Sequence, residues 1–421
     1  MAPYSLNWGG MQRVYYYANF LSSNNYSVTV IASKNTAQSY HQNKKIDFKT
    51  IHFQNNLQSF APAEHKKNAS PQSRPRKIIS VIKTVLRPLI KKLDSVLYNE
   101  PSIGAGINSH QWIKTNHIKI IRHIAQNNYN DIILSVPPFG FLSPKFLKRI
   151  KENIEGNLII DYRDPWNCWN NSKGLPFLRE KRILELSDKV ITTNNNHREK
   201  LISDFKLSEN KISVIMNGYD EILWQQIEEN RINVAKSSKL IISYIGSISF
   251  KKNHFRNCTT FLEAFTNFSH KDNLLVRFVG VKLLEEERDL LANKYPGVEF
   301  ISEVTQAESF KYMMESHVLM NIHTANDDSS KYLIGGKLFD YYRSKKIILS
   351  VNSSNSFEFK FITENNLGYC VENNPTDINI VLNKMYKEWN NQSSFFAVER
   401  KITIDESYSR NIQNEKLLSI L

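Results

Sequence analysis

The segment Lys331-Tyr-Leu-Ile-Gly-Gly-Lys-Leu-Phe-Asp340 concentrates the residue types that handle a phosphorylated ligand. Gly335 and Gly336 let a backbone approach a ligand closely. Lys337 falls in the first turn of the helix expected to follow, and Asp340 lies one turn on, facing the same side. A lysine and a helix N-terminus together stabilise negative charge leaving with a diphosphate, and Asp340 can accept hydrogen bonds from ribose hydroxyls. The competing reading is a capped helix with a surface Lys–Asp pair.

Three other clusters could join this chemistry. Gly246-Ser-Ile-Ser-Phe-Lys-Lys252 offers a small turn at Gly246 and Ser247 with Lys251 and Lys252 beyond it, placed to reach a diphosphate or else simply solvated. Asp161-Tyr-Arg-Asp-Pro-Trp166 crowds two carboxylates, a guanidinium and an indole at a strand end; an Arg163 ion pair that fixes the loop explains the same residues without catalysis. Gly9-Gly10 opens a first helix, where Gly10 either exposes N-terminal N–H groups to an anion or makes a tight structural turn. No Walker lysine, dinucleotide GxGxxG or metal-ligand spacing of His, Cys, Asp and Glu is present. Diphosphate stabilisation without a metal or other cofactor is the economical expectation.

These residues need strands to position them. Short apolar, β-rich runs recur at Ser27–Ala32, Asp131–Val136, Asn157–Ile160, Lys189–Thr193 and Lys211–Ile215, with helical stretches between. A second series follows Asn217-Gly218, at Leu240–Ile245, Leu274–Val279, Val298–Ile301, Val318–Ile322 and Ile347–Val351. Strand–helix alternation predicts two α/β units with parallel sheets, joined by a polar linker with one helix over Tyr219–Ser238. Ligands of such sheets sit beyond the strands' carboxyl ends, and the unusual residues do follow strands: Pro137-Pro138, Asp161 to Trp166, Asn217-Gly218, Gly246-Ser247, Gly280 and His323. The helix at Gly9 would normally follow a buried strand, yet only Met1-Ala2-Pro3 precedes its loop, which predicts a truncated or misassigned start.

At 421 residues the chain exceeds one ordinary core, and about two or three domains are expected. Cys168, Cys258 and Cys370 are widely spaced, as in a reduced cytosolic protein. No apolar run approaches the roughly 20 residues that span a bilayer, and the N-terminus lacks a signal-peptide pattern, so a cytoplasmic location is expected. The net charge of +14 raises nucleic acid as a partner, but the chain has no interleaved aromatics and no nucleic-acid module. Seven of the basic residues gather in Arg74–Tyr98, against one acid, with Ile78, Ile79, Ile82, Val85, Leu86, Leu89 and Ile90 at helical spacing. Such a helix, broken near Pro88, suits the anionic inner face of a membrane; packing of the stripe on its own domain is the alternative.

Taken together, Pro3-Tyr4 through Gly9-Gly10-Met-Gln-Arg13, Val136-Pro-Pro138, Asp161 to Trp166, Val214-Ile-Met-Asn-Gly218, Tyr244-Ile-Gly-Ser247 and Gly336-Lys-Leu-Phe-Asp-Tyr341 resemble the GT-B glycosyltransferases. Within them the pattern is similar to family 4, the large retaining family that includes sucrose-synthase-like and lipopolysaccharide- or capsule-building enzymes. The resemblance implies two Rossmann-like domains facing each other across a cleft: an N-terminal acceptor domain over 1–218, a C-terminal nucleotide-sugar domain over 219–404, and a last helix over about 405–421 returning to the first. It also implies that Lys252 and Lys337 meet the donor's phosphates, that Asp340 holds the ribose, and that a glycan or lipid-linked molecule accepts the sugar without a metal. Where the family carries two glutamates, this chain has Tyr332 and Asp340. Its customary N-terminal-domain histidine has no counterpart around Pro137 to Ser143, so Asp164, with Arg163 beside it, is taken as the polar group facing the reaction centre. The runner-up is a catalytically silent scaffold of the same fold docking on a membrane glycan-synthesis assembly.

Overall fold

Strands rich in Ile, Val and Leu on both faces are what parallel sheets covered by helices require, and the chain builds two such sheets. The computed structural model describes residues 9–33, 49–53, 89, 92–93, 96–97, 105–135, 143–169, 173–229, 237–251, 254–324, 328–392 and 403–421. The Val136-Pro-Pro138 loop, Lys252, the first eight residues and most of 74–98 lie outside them. The chain divides into two compact units, Met1–Ile215 with Lys416–Leu421, and Met216–Glu415.

In the first unit, β1 (Thr29–Ser33) and β2 (Lys49–Phe53) form a parallel pair. A four-stranded parallel sheet runs β3-β4-β5-β6, with β3 at Ile132–Ser135, β4 at Leu158–Asp161, β5 at Lys189–Thr192 and β6 at Ile212–Val214. Register places Ser135 opposite Asp161 at the strands' carboxyl ends. Helix Gly9–Ser23 carries Arg13 onto that edge. Arg13 Nε and Nη2 donate to the Asp161 carboxylate at 3.0 and 2.9 Å, Nη2 also reaches the Ile215 carbonyl at 2.9 Å, and Ser135 Oγ donates to Asp161 at 2.5 Å. Both charges are buried, and an ion pair persists there only because its remaining lone pairs and protons are also matched.

The second unit holds a six-stranded parallel sheet ordered β12-β11-β10-β7-β8-β9. Its strands are β7 (Leu240–Ile245), β8 (Leu274–Val279), β9 (Val298–Ile301), β10 (Val318–His323), β11 (Ile347–Asn352) and β12 (Gly368–Val371). The chain runs outward from β7 in one direction and from β10 in the other, so the order switches between these neighbours. β10 and β11 are buried along their whole length.

Two boundaries differ from the sequence-based expectation. The division falls at Ile215, because Ile215 packs with Tyr17, Leu21, Ile159 and Ile191 of the first unit, whereas Tyr219 and Trp224 belong to the second unit's core. The segment expected to return as one helix over about 405–421 is split. Helix Arg410–Glu415 stays with the second unit, where Arg410 donates to the carbonyls of Asn217 and Gly218 at 3.1 Å and Tyr219 N donates to the Tyr408 carbonyl. Only Lys416–Leu421 joins the first, with Leu417 and Ile420 buried beside Tyr17 and Leu21.

Glu180, on helix Leu175–Leu186, is fully buried in the first unit and accepts from Tyr162 Oη at 2.6 Å and Asn167 Nδ2 at 2.7 Å. Burial pushes its carboxyl up to about 7, although both hydrogen bonds oppose the shift. The folded state therefore holds this proton where the unfolded chain has released it, and stability falls as pH rises from the ordinary glutamate range through 7. Glu180→Gln is expected to stabilise the protein by about 1–2 kcal/mol at pH 8 and to lose that advantage near pH 5. Urea unfolding midpoints at the two pH values measure the difference, and an equal difference at both contradicts the assignment.

Candidate functional site

In sheets of this kind ligands sit at the strands' carboxyl ends where the order switches, and beside the switch between β7 and β10 the chain gathers glycines and charged groups. β7 ends at Ile245, and Gly246 follows with φ +131°, a backbone conformation that side-chain-bearing residues rarely adopt. Gly246 N donates to the Val279 carbonyl at 2.7 Å, and Gly280, φ +92°, lies directly against it. The result is a bare backbone surface after β7. Ser247 Oγ accepts from Arg256 Nη1 at 2.5 Å, and Tyr244 Oη donates to the Ser247 carbonyl at 3.1 Å, so this turn presents a fixed guanidinium.

Helix Gly336–Arg343 begins opposite the turn, with Gly335 as its N-cap. Lys337 folds back to donate to the Ile245 carbonyl at 3.3 Å and lies 3.6 Å from the centroid of the Tyr244 ring, beside Gly246. Burial and the nearby Arg256 hold its ammonium well below the usual lysine range, with Glu358 opposing them. A half-buried lysine so placed gains from an arriving anion, which favours its charged form. Gly246, Ser247, Gly335, Gly336 and Lys337 are thus brought together.

Asp340 departs from its expected position. It does not share Lys337's surroundings: its carboxylate takes a 3.4 Å hydrogen bond from Trp224 Nε1. Burial raises it to about 6, while Arg410 and the Trp224 bond pull the other way. Arg163, Asp164 and Gly10 belong to the first unit. Arg163 is buried and pairs with Asp164 at 3.2 Å, and Gly10 lies in the first turn of its helix.

Sequence reasoning missed the group that holds the turn. Glu358, on helix Phe357–Glu364, accepts from Gly335 N at 2.7 Å, Asn321 Nδ2 at 2.8 Å and Asn352 Nδ2 at 3.1 Å, and His323 Nδ1 stands 3.8 Å from it. Burial alone would raise this carboxyl; His323, Asn321 and the Gly335 amide outweigh it and hold it below the ordinary range. A glutamate inside an apolar-patterned helix, with one asparagine late in an apolar strand and another ending the next, was the available signal.

No family model matches the chain, and no curated protein matches it. Solved structures do. A glycosyltransferase from Rickettsia africae superposes with TM-score 0.60 at 15% identity, covering 100% of this chain and 96% of that one. WaaG, a glycosyltransferase involved in lipopolysaccharide biosynthesis, gives 0.53 at 14% identity over 98% and 95%. HepE of Anabaena, in complex with UDP, gives 0.53 at 12% identity over 72% and 82%.

Gly246→Ala introduces a Cβ that meets Lys337 Nζ only at ordinary contact distance, 3.7 Å, so its cost is backbone strain. A loss of about 1–3 kcal/mol is expected in chemical unfolding, and no loss would show that the turn relaxes freely. With its two parallel α/β units and these neighbours, the chain has the GT-B fold of these glycosyltransferases.

Proposed function

We propose that this protein is a glycosyltransferase that takes a sugar from a nucleoside-diphosphate donor bound in its second unit. One observation carries the reading. Lys337, in the first turn of its helix, reaches back to the bare Gly246 turn, beside the Arg256 guanidinium that Ser247 fixes. A cation, a second cation and a helix N-terminus around an exposed backbone surface make a cradle for a diphosphate. During transfer the same groups stabilise the charge that develops on the leaving diphosphate, without a metal. The fold by itself does not decide this, since functions are grafted on folds; the N-terminal domain of Candida albicans trehalose-6-phosphate phosphatase superposes with TM-score 0.58 at 10% identity.

The remaining roles follow the resemblance. Transfer proceeds with retention, with the donor in the second unit and the acceptor in the first, where Asp164 offers a partly exposed carboxylate beside Arg163. The resemblance gives Asp340 the ribose, a role its carboxylate would take up from its present place beside Trp224. Lys252 adds a further cation beyond the Gly246 turn. The acceptor is a growing glycan or a lipid-linked molecule at the cytoplasmic face of a membrane, as in lipopolysaccharide or capsule synthesis. Among the described residues no helix is long and apolar enough to cross a membrane, while Leu89, Leu93 and Val96 of the basic segment are exposed, as a peripheral contact requires.

Calorimetry against UDP, GDP, ADP and their sugar esters tests the donor site. One nucleotide is expected to bind, and Lys337→Ala is expected to weaken binding by about ten-fold or more. Absence of binding to all of them overturns the proposal. Binding without hydrolysis or transfer selects the scaffold reading instead, to which Tyr332, in place of the family's first glutamate, lends support.

A further inference from the structure

The Gly335 end of the turn has a character opposite to the Lys337 end. Glu358 is held below the ordinary glutamate range there, by His323 first and then by neutral groups that hydrogen-bond to it: the Gly335 amide and the side chains of Asn321 and Asn352. Dipoles satisfy its lone pairs without cancelling its charge. Beside it, His323 ends β10 with 7% of its surface exposed and its ring against Phe255, the centroids 5.5 Å apart. Its Nδ1 faces the carboxylate at 3.8 Å, whereas its Nε2 has no hydrogen-bond partner among the described residues. A buried ring nitrogen left open at the carboxyl end of a strand flanking the switch point is an unmet polar demand in the place where a ligand arrives.

With the proton on Nδ1, toward Glu358, Nε2 presents a lone pair, which a hydroxyl group can meet by donating. A second anion brought to Nε2 would face the uncancelled charge of Glu358 across one imidazole ring. The two ends of the turn therefore sort a ligand by charge: phosphates toward Lys337, Arg256 and the helix amides, neutral hydroxyls toward His323 and Glu358.

We propose that His323 and Glu358 receive the hydroxyl-bearing sugar of the donor and make the site selective for uncharged sugars over those carrying a carboxylate. His323 is the contacting residue; Glu358 is a positioning residue that faces its Nδ1 and supplies the repelling charge. This inference rests on the donor reading above, and it adds the class of sugar and the direction in which the donor lies.

Calorimetry on the full chain separates the two. The probes are UDP and GDP, the neutral esters UDP-glucose and GDP-mannose, and the acidic esters UDP-glucuronate and GDP-mannuronate. With whichever base binds, the neutral ester is expected to bind about ten-fold more tightly than the acidic one. Glu358→Gln is expected to bring that ratio close to one, and His323→Asn to weaken the neutral ester about five- to ten-fold while leaving the bare nucleotide unchanged. Because Glu358→Gln also disturbs the Gly335 bond, His323→Asn carries the test if that variant does not fold, as judged by its thermal unfolding transition. Acidic esters bound as well as or better than neutral ones, or a neutral-ester affinity untouched in His323→Asn, overturn the inference and leave the donor site standing. If neither nucleotide nor any ester binds, the donor site fails for these bases and the sugar selectivity falls with it.

Discussion

The Glu358 carboxylate is the constraint on which the second unit's site is built. It joins four segments that are distant in sequence: the end of β10 through Asn321, the end of β11 through Asn352, its own helix, and the turn at Gly335. An ionised group can stay in such a place only if its lone pairs are met, and leaving one unmet costs more than an ordinary hydrogen bond gains. That requirement fixes where helix Gly336–Arg343 starts. The start in turn puts Lys337 over Tyr244 and against the bare backbone after β7.

The first unit uses the same device with a different outcome. Asp161 also sits at a strand's carboxyl end and is also buried, but a guanidinium answers it, and Ser135 and the Ile215 carbonyl complete the cluster. Charge is cancelled there, so the cluster fastens helix Gly9–Ser23 to the sheet and projects little field. Around Glu358 neutral amides meet the lone pairs and the facing group is a histidine instead of a guanidinium. One cluster is mainly a fastening, whereas the other leaves a polarised surface.

Much of the fold was legible because parallel strands buried on both faces are continuous apolar runs; Leu240–Ile245 and Leu274–Val279 stand where that signal placed them, and the run Ile347–Val351 is a strand that extends one residue further, to Asn352. β2 and β12 escaped, since Lys49–Phe53 mixes a lysine and a histidine into five residues and Gly368–Val371 is a four-residue edge strand opened by a glycine. At the site, glycines and a lysine following strands announced the turn by their types alone. Glu358 could not be found that way: local sequence presents it as one more acid on a helix, and its importance comes from partners supplied by β10, β11 and the turn. Asp340 shows the converse limit, because helical spacing fixed its angle relative to Lys337 but not the indole that draws it away.

The return of Lys416–Leu421 to the first unit has a consequence for how the chain is made. Domains usually fold in the order in which they emerge during synthesis. Here the apolar seam of Tyr17, Leu21, Ile159, Ile191 and Ile215 is closed by Leu417 and Ile420, which are added only after the whole second unit has been synthesised. The earlier-made unit is thus the later to be completed. Until then one apolar face of its sheet stays uncovered, and emergence of Lys416–Leu421, not of Ile215, is the point after which that unit can reach its final core.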